Sequence, residues 1–286
     1  MTAAAFDYHA PTTIDDAVNL LGRYGDEARL LAGGQSLMPM LASRLAQPSH
    51  VIDLNRLEQA ARPSFKNGRL RIPPLMRHAD FETPVEDGPL GHILAGLAKR
   101  IANYPVRLRG TFCGALAHGD PASKWCLAAA VLQAEMTVRS VRGTRTIPAV
   151  RFFETILNTA LADDEMLVEV QIPLLAPYVE WGFDEVVSRR GSYPLAAGLV
   201  TLERDVDRIA AVKVGVAGIE DVPRRLPAVE EFLLDRSLSF ETNEQAAEIA
   251  AEAVDPLVEP GEDVDYGRDL ARAVVMRALT RAGRGP

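Results

Sequence analysis

Apolar residues recur along the first third of this chain at helical spacing, interrupted by short continuous apolar runs that end in glycine. Ile14, Ala17, Val18 and Leu21 fall at i, i+3, i+4 and i+7, one face of a helix, and Thr13 three residues before Asp16 resembles a capping box, with Asp in the third place. That pattern predicts an amphipathic helix ending near Gly22 or Gly25. Residues 29–32, Arg-Leu-Leu-Ala, read as a short buried strand followed at once by Gly33-Gly34. A second helix opens at Ser36, with Leu37, Met40, Leu41 and Leu45 on one stripe; Pro39 is tolerated in its first turn, where a backbone N–H has no partner to lose. Residues 51–54 supply the next strand. Helix, strand, glycine turn, helix, strand predicts a small α/β unit whose loop is aimed by a helix N-terminus, where free N–H groups favour an exposed anion by roughly 0.3–1 kcal/mol.

Further on, a short strand from Leu70 runs into Pro73-Pro74, and Leu90, Ile93, Leu94, Leu97, Ala98 and Ile101 form the stripe of a strong helix. Residues 121–132 look helical. Residues 137–141 pair with 145–147 across Arg142-Gly143-Thr144, and Met166, Val168, Val170 and Ile172 alternate as a half-buried strand. Pro173 and Pro177 mark a domain boundary. Beyond it come strands at about 181–187, 195–202 and 209–217, then helices near 242–254 and 269–282. Strands first and helices after describe an α+β domain. The expected organisation is a domain over residues 1–176, with subdomains of about 1–55 and 56–176, followed by a second domain over 177–286 with an antiparallel sheet and helices. No internal repeat or low-complexity tract interrupts it.

A length of 286 residues agrees with two domains at about 150 residues each. Lys+Arg 31 against Asp+Glu 39 gives a net charge of -8, and the cations are scattered, so nothing offers the basic face that nucleic acid requires. The acidic stretch from Glu220 to Asp265 reads as solvated surface. Residues 1–11 have neither a basic nor an apolar signal region, and no apolar run approaches the 18 or so residues of a spanning helix, so a cytoplasmic protein without a membrane span is expected. Cys113 and Cys126 are too few for a disulfide framework. With His118 they make Cys-x4-His-x7-Cys, which is no zinc signature, so no metal site is expected and both thiols read as packing residues.

The candidate chemistry lies in two glycine loops. One is Leu30-Leu31-Ala32-Gly33-Gly34-Gln35-Ser36; the other runs Gly110-Thr111-Phe112-Cys113-Gly114-Ala115-Leu116-Ala117-His118-Gly119-Asp120-Pro121. Loops that shed side chains expose backbone N–H groups, which suit phosphate, and two of them suggest a diphosphate held from both sides. Neither contains the Gly-x-Gly-x-x-Gly of dinucleotide-binding folds or the Gly-Lys-Ser/Thr of triphosphate loops. NAD and ATP are thereby disfavoured, and a pair of tight turns without a ligand stays open. Asp53 after its strand reads as a turn residue.

The combination carries a resemblance. Phe6-Asp7-Tyr8, the 31–36 loop, Arg44-Leu45 with Val51-Ile52-Asp53-Leu54, Arg77-His78, Arg109-Gly110-Thr111-Phe112-Cys113-Gly114 through Asp120-Pro121, residues 159–165, Arg189-Arg190-Gly191-Ser192-Tyr193-Pro194 and the closing helix from Tyr266 resemble the flavoprotein (medium) subunit of molybdenum hydroxylases of the carbon monoxide dehydrogenase and xanthine dehydrogenase family. The likeness covers essentially the whole chain. It implies an α+β architecture: a two-subdomain FAD-binding fold of the vanillyl-alcohol oxidase (PCMH) type, then the C-terminal domain of the carbon monoxide dehydrogenase flavoprotein. It implies that Leu31, Ala32, Gly33, Gly34, Gln35 and Ser36 with Thr111, Cys113, Gly114 and Ala115 wrap the FAD diphosphate. Ile101, Ala117, Asp120 and Leu161 would belong to the same cleft, with the Asp120 carboxylate placed for a ribose or a backbone amide, and Tyr193 against the isoalloxazine.

The implied activity is that of an oxidoreductase subunit. [2Fe–2S] clusters in a small subunit relay electrons to FAD here, a large molybdopterin subunit hydroxylates the substrate, and the reduced flavin passes electrons to an external acceptor, in an expected dimer of heterotrimers. Carbon monoxide, N-heteroaromatic and aldehyde substrates are all compatible. No catalytic base is expected, so His78 reads as structural or close to the cofactor. Family members commonly carry Gly-Gly where this chain has Cys113-Gly114, which predicts either an extended backbone at Cys113 or local strain of about 1 kcal/mol. Two other readings are a free-standing PCMH-type flavin oxidoreductase with its own substrate site and a scaffold that has lost its cofactor.

Overall fold

The computed structural model describes residues 3–58, 62–257 and 263–284. The first helix is Ile14–Tyr24, and Thr13 caps it as the pattern predicts: its hydroxyl oxygen accepts from the Asp16 N–H at 3.1 Å and donates to the Asp16 carboxylate at 2.7 Å. The buried stripe Ala17, Val18 and Leu21 packs on a three-stranded parallel sheet in which His50–Asp53 is central between Asp7–His9 and Ala28–Leu31. The strand Asp7–His9 has no apolar alternation, and its pairing of Asp7 with His50 is a tertiary decision.

The helix after Gly33-Gly34 departs from expectation. It spans only Leu37–Ala42, and of its expected stripe only Leu41 is buried, while Leu45 is 79% exposed. Arg44 takes a left-handed φ of 60°, and the Leu45 and Ala46 N–H groups fold back onto the Met40 carbonyl. The chain thus turns away before a second turn of stripe forms. So short a helix adds little dipole, and any anion affinity here rests on individual N–H groups.

A five-stranded antiparallel sheet follows, in the order Ser64–Lys66, Arg69–Ile72, Met166–Pro173, Glu135–Ser140, Gly143–Pro148. Its inward residues Leu70, Ile72, Met136, Val138, Val170 and Ile172 meet the apolar helices Pro89–Ala98 and Lys124–Val131. Trp125 is the hub, with ring centroids 5.2 Å from Phe81 and 4.8 Å from Phe112. Both helices are shorter than the apolar pattern suggests. Pro89–Ala98 ends before Ile101, because Arg107 Nη1 donates to the Ile101 and Ala102 carbonyls at 2.9 Å each and holds an open turn there. Lys124–Val131 begins only after the Ser123 cap, leaving residues 121–123 as a turn.

The last sheet is antiparallel, in the order Glu180–Val187, Pro194–Asp205, Arg208–Ala217, Arg224–Arg225. Along its long strand Ala197 and Leu199 join the core of the preceding sheet, while Ala196, Val200 and Leu202 face the helices Pro227–Leu233, Phe240–Ala253 and Val264–Ala282. Burial on both faces explains the unbroken apolar run. The expected solvated acidic surface fails at two points. Glu220 is buried and doubly bonded to Arg224, and Glu230 is buried, accepting from the Val214 N–H at 2.9 Å and from Arg225. A buried carboxylate needs such partners.

Gly182 marks the tightest approach of the closing helix: a Cβ there would overlap the Ala278 carbonyl and lie 2.6 Å from the Ala282 nitrogen. Gly182→Ala should therefore cost about 2 kcal/mol in overpacking, read as a lower urea midpoint at unchanged slope.

Candidate cofactor site

The first glycine turn leaves the end of the strand Ala28–Leu31 and is pressed onto the second loop. Gly33 is buried, and a Cβ on it would overlap the Arg109 carbonyl and lie 2.6 Å from Gly110 Cα. Gly34 takes φ +73°, where a side chain is strained. The second loop is for the most part not a loop. Thr111 caps the short helix Phe112–His118, its hydroxyl accepting from the Gly114 N–H at 3.1 Å. Cys113 therefore has ordinary right-handed helical backbone, neither extended nor strained, so both alternatives posed for it fail; the cysteine is accommodated because the segment coils. Its thiol points into the core toward the Ile72 and Pro73 carbonyls, and burial pushes it far above the usual thiol range.

Among the described residues, the N–H groups of Gly33, Gly34, Gln35 and Ser36, and of Thr111 and Cys113, donate to no protein acceptor. Gly33, Thr111 and Cys113 are buried. Buried N–H groups are almost always paired, so orphans gathered from two segments are what an anionic ligand requires. They open onto a cleft of about 720 Å³, within the size range of ligand sites (~300–1,000 Å³). That cleft collects fourteen of the fifteen expected residues: Ala32, Gly33, Gly34, Gln35, Ser36, Ile101, Thr111, Cys113, Gly114, Ala115, Ala117, Asp120, Leu161 and Tyr193. Leu31 does not line it; its side chain backs the turn, with Cδ1 3.3 Å from the place a Gly34 Cβ would take. Asp120 spends one carboxylate oxygen on the Ala122 N–H at 2.8 Å. Tyr193 stands at the rim, 59% exposed. Desolvation of its phenol end, aided by the Asp120 carboxylate, pushes the hydroxyl up to about 12 and keeps it protonated.

Several residues that the sequence pattern does not single out hold this cleft in shape. Glu185 receives the buried Lys124 Nζ at 2.8 Å and Arg100 at 3.5 Å. It thereby ties the turn after residue 98 and the first turn of the Trp125 helix to the strand that leads into Gly191, Ser192 and Tyr193. Arg145 grips Glu165 through two bonds of 2.7 Å, while Glu165 accepts from the Ala162 N–H, fixing the segment that carries Leu161. Asn55 and Arg77 lie behind the two loops. The Asp53-Leu54-Asn55 triplet after a strand was a legible sign of a side-chain turn, and Asn55 N–H does donate to Asp53 at 2.9 Å. Nothing in the sequence announces the long-range pairs.

His78 lines the cleft too, 6% exposed. Trp125 Nε1 donates to its Nδ1 at 2.9 Å, so the neutral ring carries its proton on Nε2. Burial first, then the Arg77 and Arg107 guanidinium groups, pull it down to about 4. It is neutral at pH 7 and no proton acceptor of catalytic strength.

Comparison with known proteins agrees with this geometry. Residues 4–175 match the FAD binding domain in molybdopterin dehydrogenase, and residues 183–282 the CO dehydrogenase flavoprotein C-terminal domain. The nicotine 6-hydroxylase medium subunit of Paenarthrobacter nicotinovorans is 35% identical over 99% of both chains. The carbon monoxide dehydrogenase medium chain of Hydrogenophaga pseudoflava is 31% identical over 99% of this chain and 98% of that one. Among solved structures, carbon monoxide dehydrogenase from H. pseudoflava superposes with a TM-score of 0.94 at 32% identity, covering all of both chains. Quinoline 2-oxidoreductase from Pseudomonas putida 86 gives 0.93 at 31%, covering 99% of each. The chain belongs to the FAD-binding flavoprotein subunits of the molybdopterin dehydrogenases; it is an oxidoreductase subunit and its cofactor is FAD.

Two outcomes are expected. Gly33→Val forces the two loops apart, and the purified variant should carry less than a tenth of the wild-type flavin, read from the visible absorption spectrum at equal protein. For His78, the unfolded chain takes up a proton near 6.5 but the folded chain only near 4, so stability is complete above pH 6.5 and falls as pH drops toward 4. The fall attributable to this residue is about 3 kcal/mol, and His78→Asn, which keeps an acceptor for Trp125 without titrating, should flatten that part of the urea-unfolding pH profile.

Proposed function

We propose that this chain is the FAD-carrying electron-transfer subunit of a heterotrimeric molybdenum hydroxylase. It takes electrons from [2Fe–2S] clusters of a small subunit and passes them to an external acceptor, while a large molybdopterin subunit hydroxylates the substrate. The observation that carries this reading is that two segments with orphaned N–H groups are pressed together and line one cleft. Gly33, Gly34, Gln35 and Ser36 would receive the diphosphate from one side and Thr111 and Cys113, through backbone only, from the other. Asp120 would accept from a ribose hydroxyl with its remaining oxygen, and Tyr193 would cover the ring at the rim.

Bound flavin supplies the exchange between two-electron and one-electron chemistry; the chain's part is to bind, orient and shield it. Both cysteines are buried and turned to carbonyls, and two thiols fall short of the four that a [2Fe–2S] centre takes, so cluster ligands fall to a partner. Relatives of similar identity are named for nicotine, carbon monoxide and caffeine. Flavoprotein chains this alike serve different substrates, which supports a choice of substrate made in the large subunit. A domain break at 176/177, subdomains meeting near residue 55, a cytoplasmic location and a dimer of heterotrimers complete the reading. Among the described residues no helix is long and apolar enough to cross a membrane.

The chain purified alone should be yellow, or take up one equivalent of FAD with a flavin absorption band. Co-expressed with a molybdopterin subunit and an iron–sulfur subunit of its own complex, it should co-purify with both. A colourless protein that refuses FAD would sink the proposal.

A further inference from the structure

Neither Asn55 nor Arg77 lines the cleft, yet together they join its two N–H-bearing segments from behind. Asn55 Nδ2 donates to the Ala32 carbonyl at 2.8 Å, and its Oδ1 accepts from Arg77 Nη2 at 2.6 Å. Arg77 Nη1 donates to the Arg109 carbonyl. The span therefore begins one residue before Gly33, ends one residue before Gly110, and bridges the place where Gly33 packs on the 109–110 backbone.

Each half of the bridge is itself anchored. The Arg77 N–H donates to Asp80 at 2.7 Å, and the neighbouring His78 N–H to the Gly110 carbonyl at 2.9 Å. Asn55 is oriented by Asp53, whose second oxygen accepts from the Tyr8 hydroxyl at 2.6 Å. The planar guanidinium suits the link: its two terminal nitrogens reach oxygens on two different segments in one fixed fork, a spread and orientation that the compact ammonium of lysine does not reproduce.

We propose that Asn55 and Arg77 are positioning residues of the FAD site, a clasp that sets the separation of the two loops and holds their unpaired N–H groups ready for the diphosphate. This rests on the cofactor reading above. Its physical basis is preorganisation: a cradle already at its bound spacing does not spend binding energy on ordering.

The test uses the full-length chain loaded with FAD and follows release by the recovery of flavin fluorescence after dilution, beside thermal unfolding of the apoprotein. Asn55→Ala, Arg77→Met and Arg77→Lys should each release FAD about tenfold faster, with the apoprotein's melting temperature unchanged. The double variant N55A/R77M should be no worse than R77M, since one break opens the clasp. An Arg77→Lys variant that holds FAD like wild type would show that only a positive charge is needed and overturn the clasp. So would additive effects in the double variant, or a lowered melting temperature with release unaffected. If Arg77→Met fails to fold, Asn55→Ala at its exposed position decides alone. A wild-type chain that takes up no FAD overturns the cofactor reading itself, a result distinguishable from all of these.

Discussion

The contact of Gly33 with the 109–110 backbone is the constraint on which the site depends. Two segments about eighty residues apart approach until no side-chain atom fits between them. At that distance residues bearing the unpaired N–H groups line one cleft, as the proposed grip on a diphosphate requires. Each segment on its own is unremarkable, a tight turn before a six-residue helix and the capped start of a seven-residue one. Neither helix is long enough to hold an anion by its dipole, so the proposed grip rests on the convergence of the two segments.

That convergence is supported from outside. The parallel sheet carries the first segment, and the packing of Trp125 on Phe81 and Phe112 carries the second. The Glu185 ion pairs then bring the C-terminal sheet to the cleft's far wall, where Tyr193 stands. Desolvating Lys124 and Glu185 offsets much of what their attraction returns, so a pair of this kind is weak evidence of stability. Its structural effect is alignment: a cation on one element and an anion on another have one favourable register. The C-terminal sheet is buried on both faces because it is wedged between the core of the preceding sheet and its own helices.

Much of this was legible beforehand, and the failures have specific causes. The capped helix Ile14–Tyr24, the hairpin around Arg142 and the long apolar strands follow from periodicity, because each buries a face whose spacing is written locally. Leu45 misled because an apolar residue in register says nothing of a left-handed turn at Arg44. The acidic stretch misled because counting charges does not reveal that Arg224 and Arg225 fold back to bury Glu220 and Glu230. Cys113 looked costly only so long as its segment was taken for a glycine loop; as helix it needs no unusual φ.

By itself the sequence determined the elements whose caps and apolar stripes are local signals, and its resemblance to a known family gave the class of protein, the two glycine segments and fourteen of the residues that line the cleft. Only the tertiary structure decided that Leu31 lies behind its turn and that His78 is kept neutral by burial, with its tautomer set by Trp125. The same holds for the clasp of Asn55 and Arg77 and for the meeting of Lys124 with Glu185. These depend on partners distant along the chain, and a hydrogen bond or an ion pair leaves no periodic trace in the residues that make it.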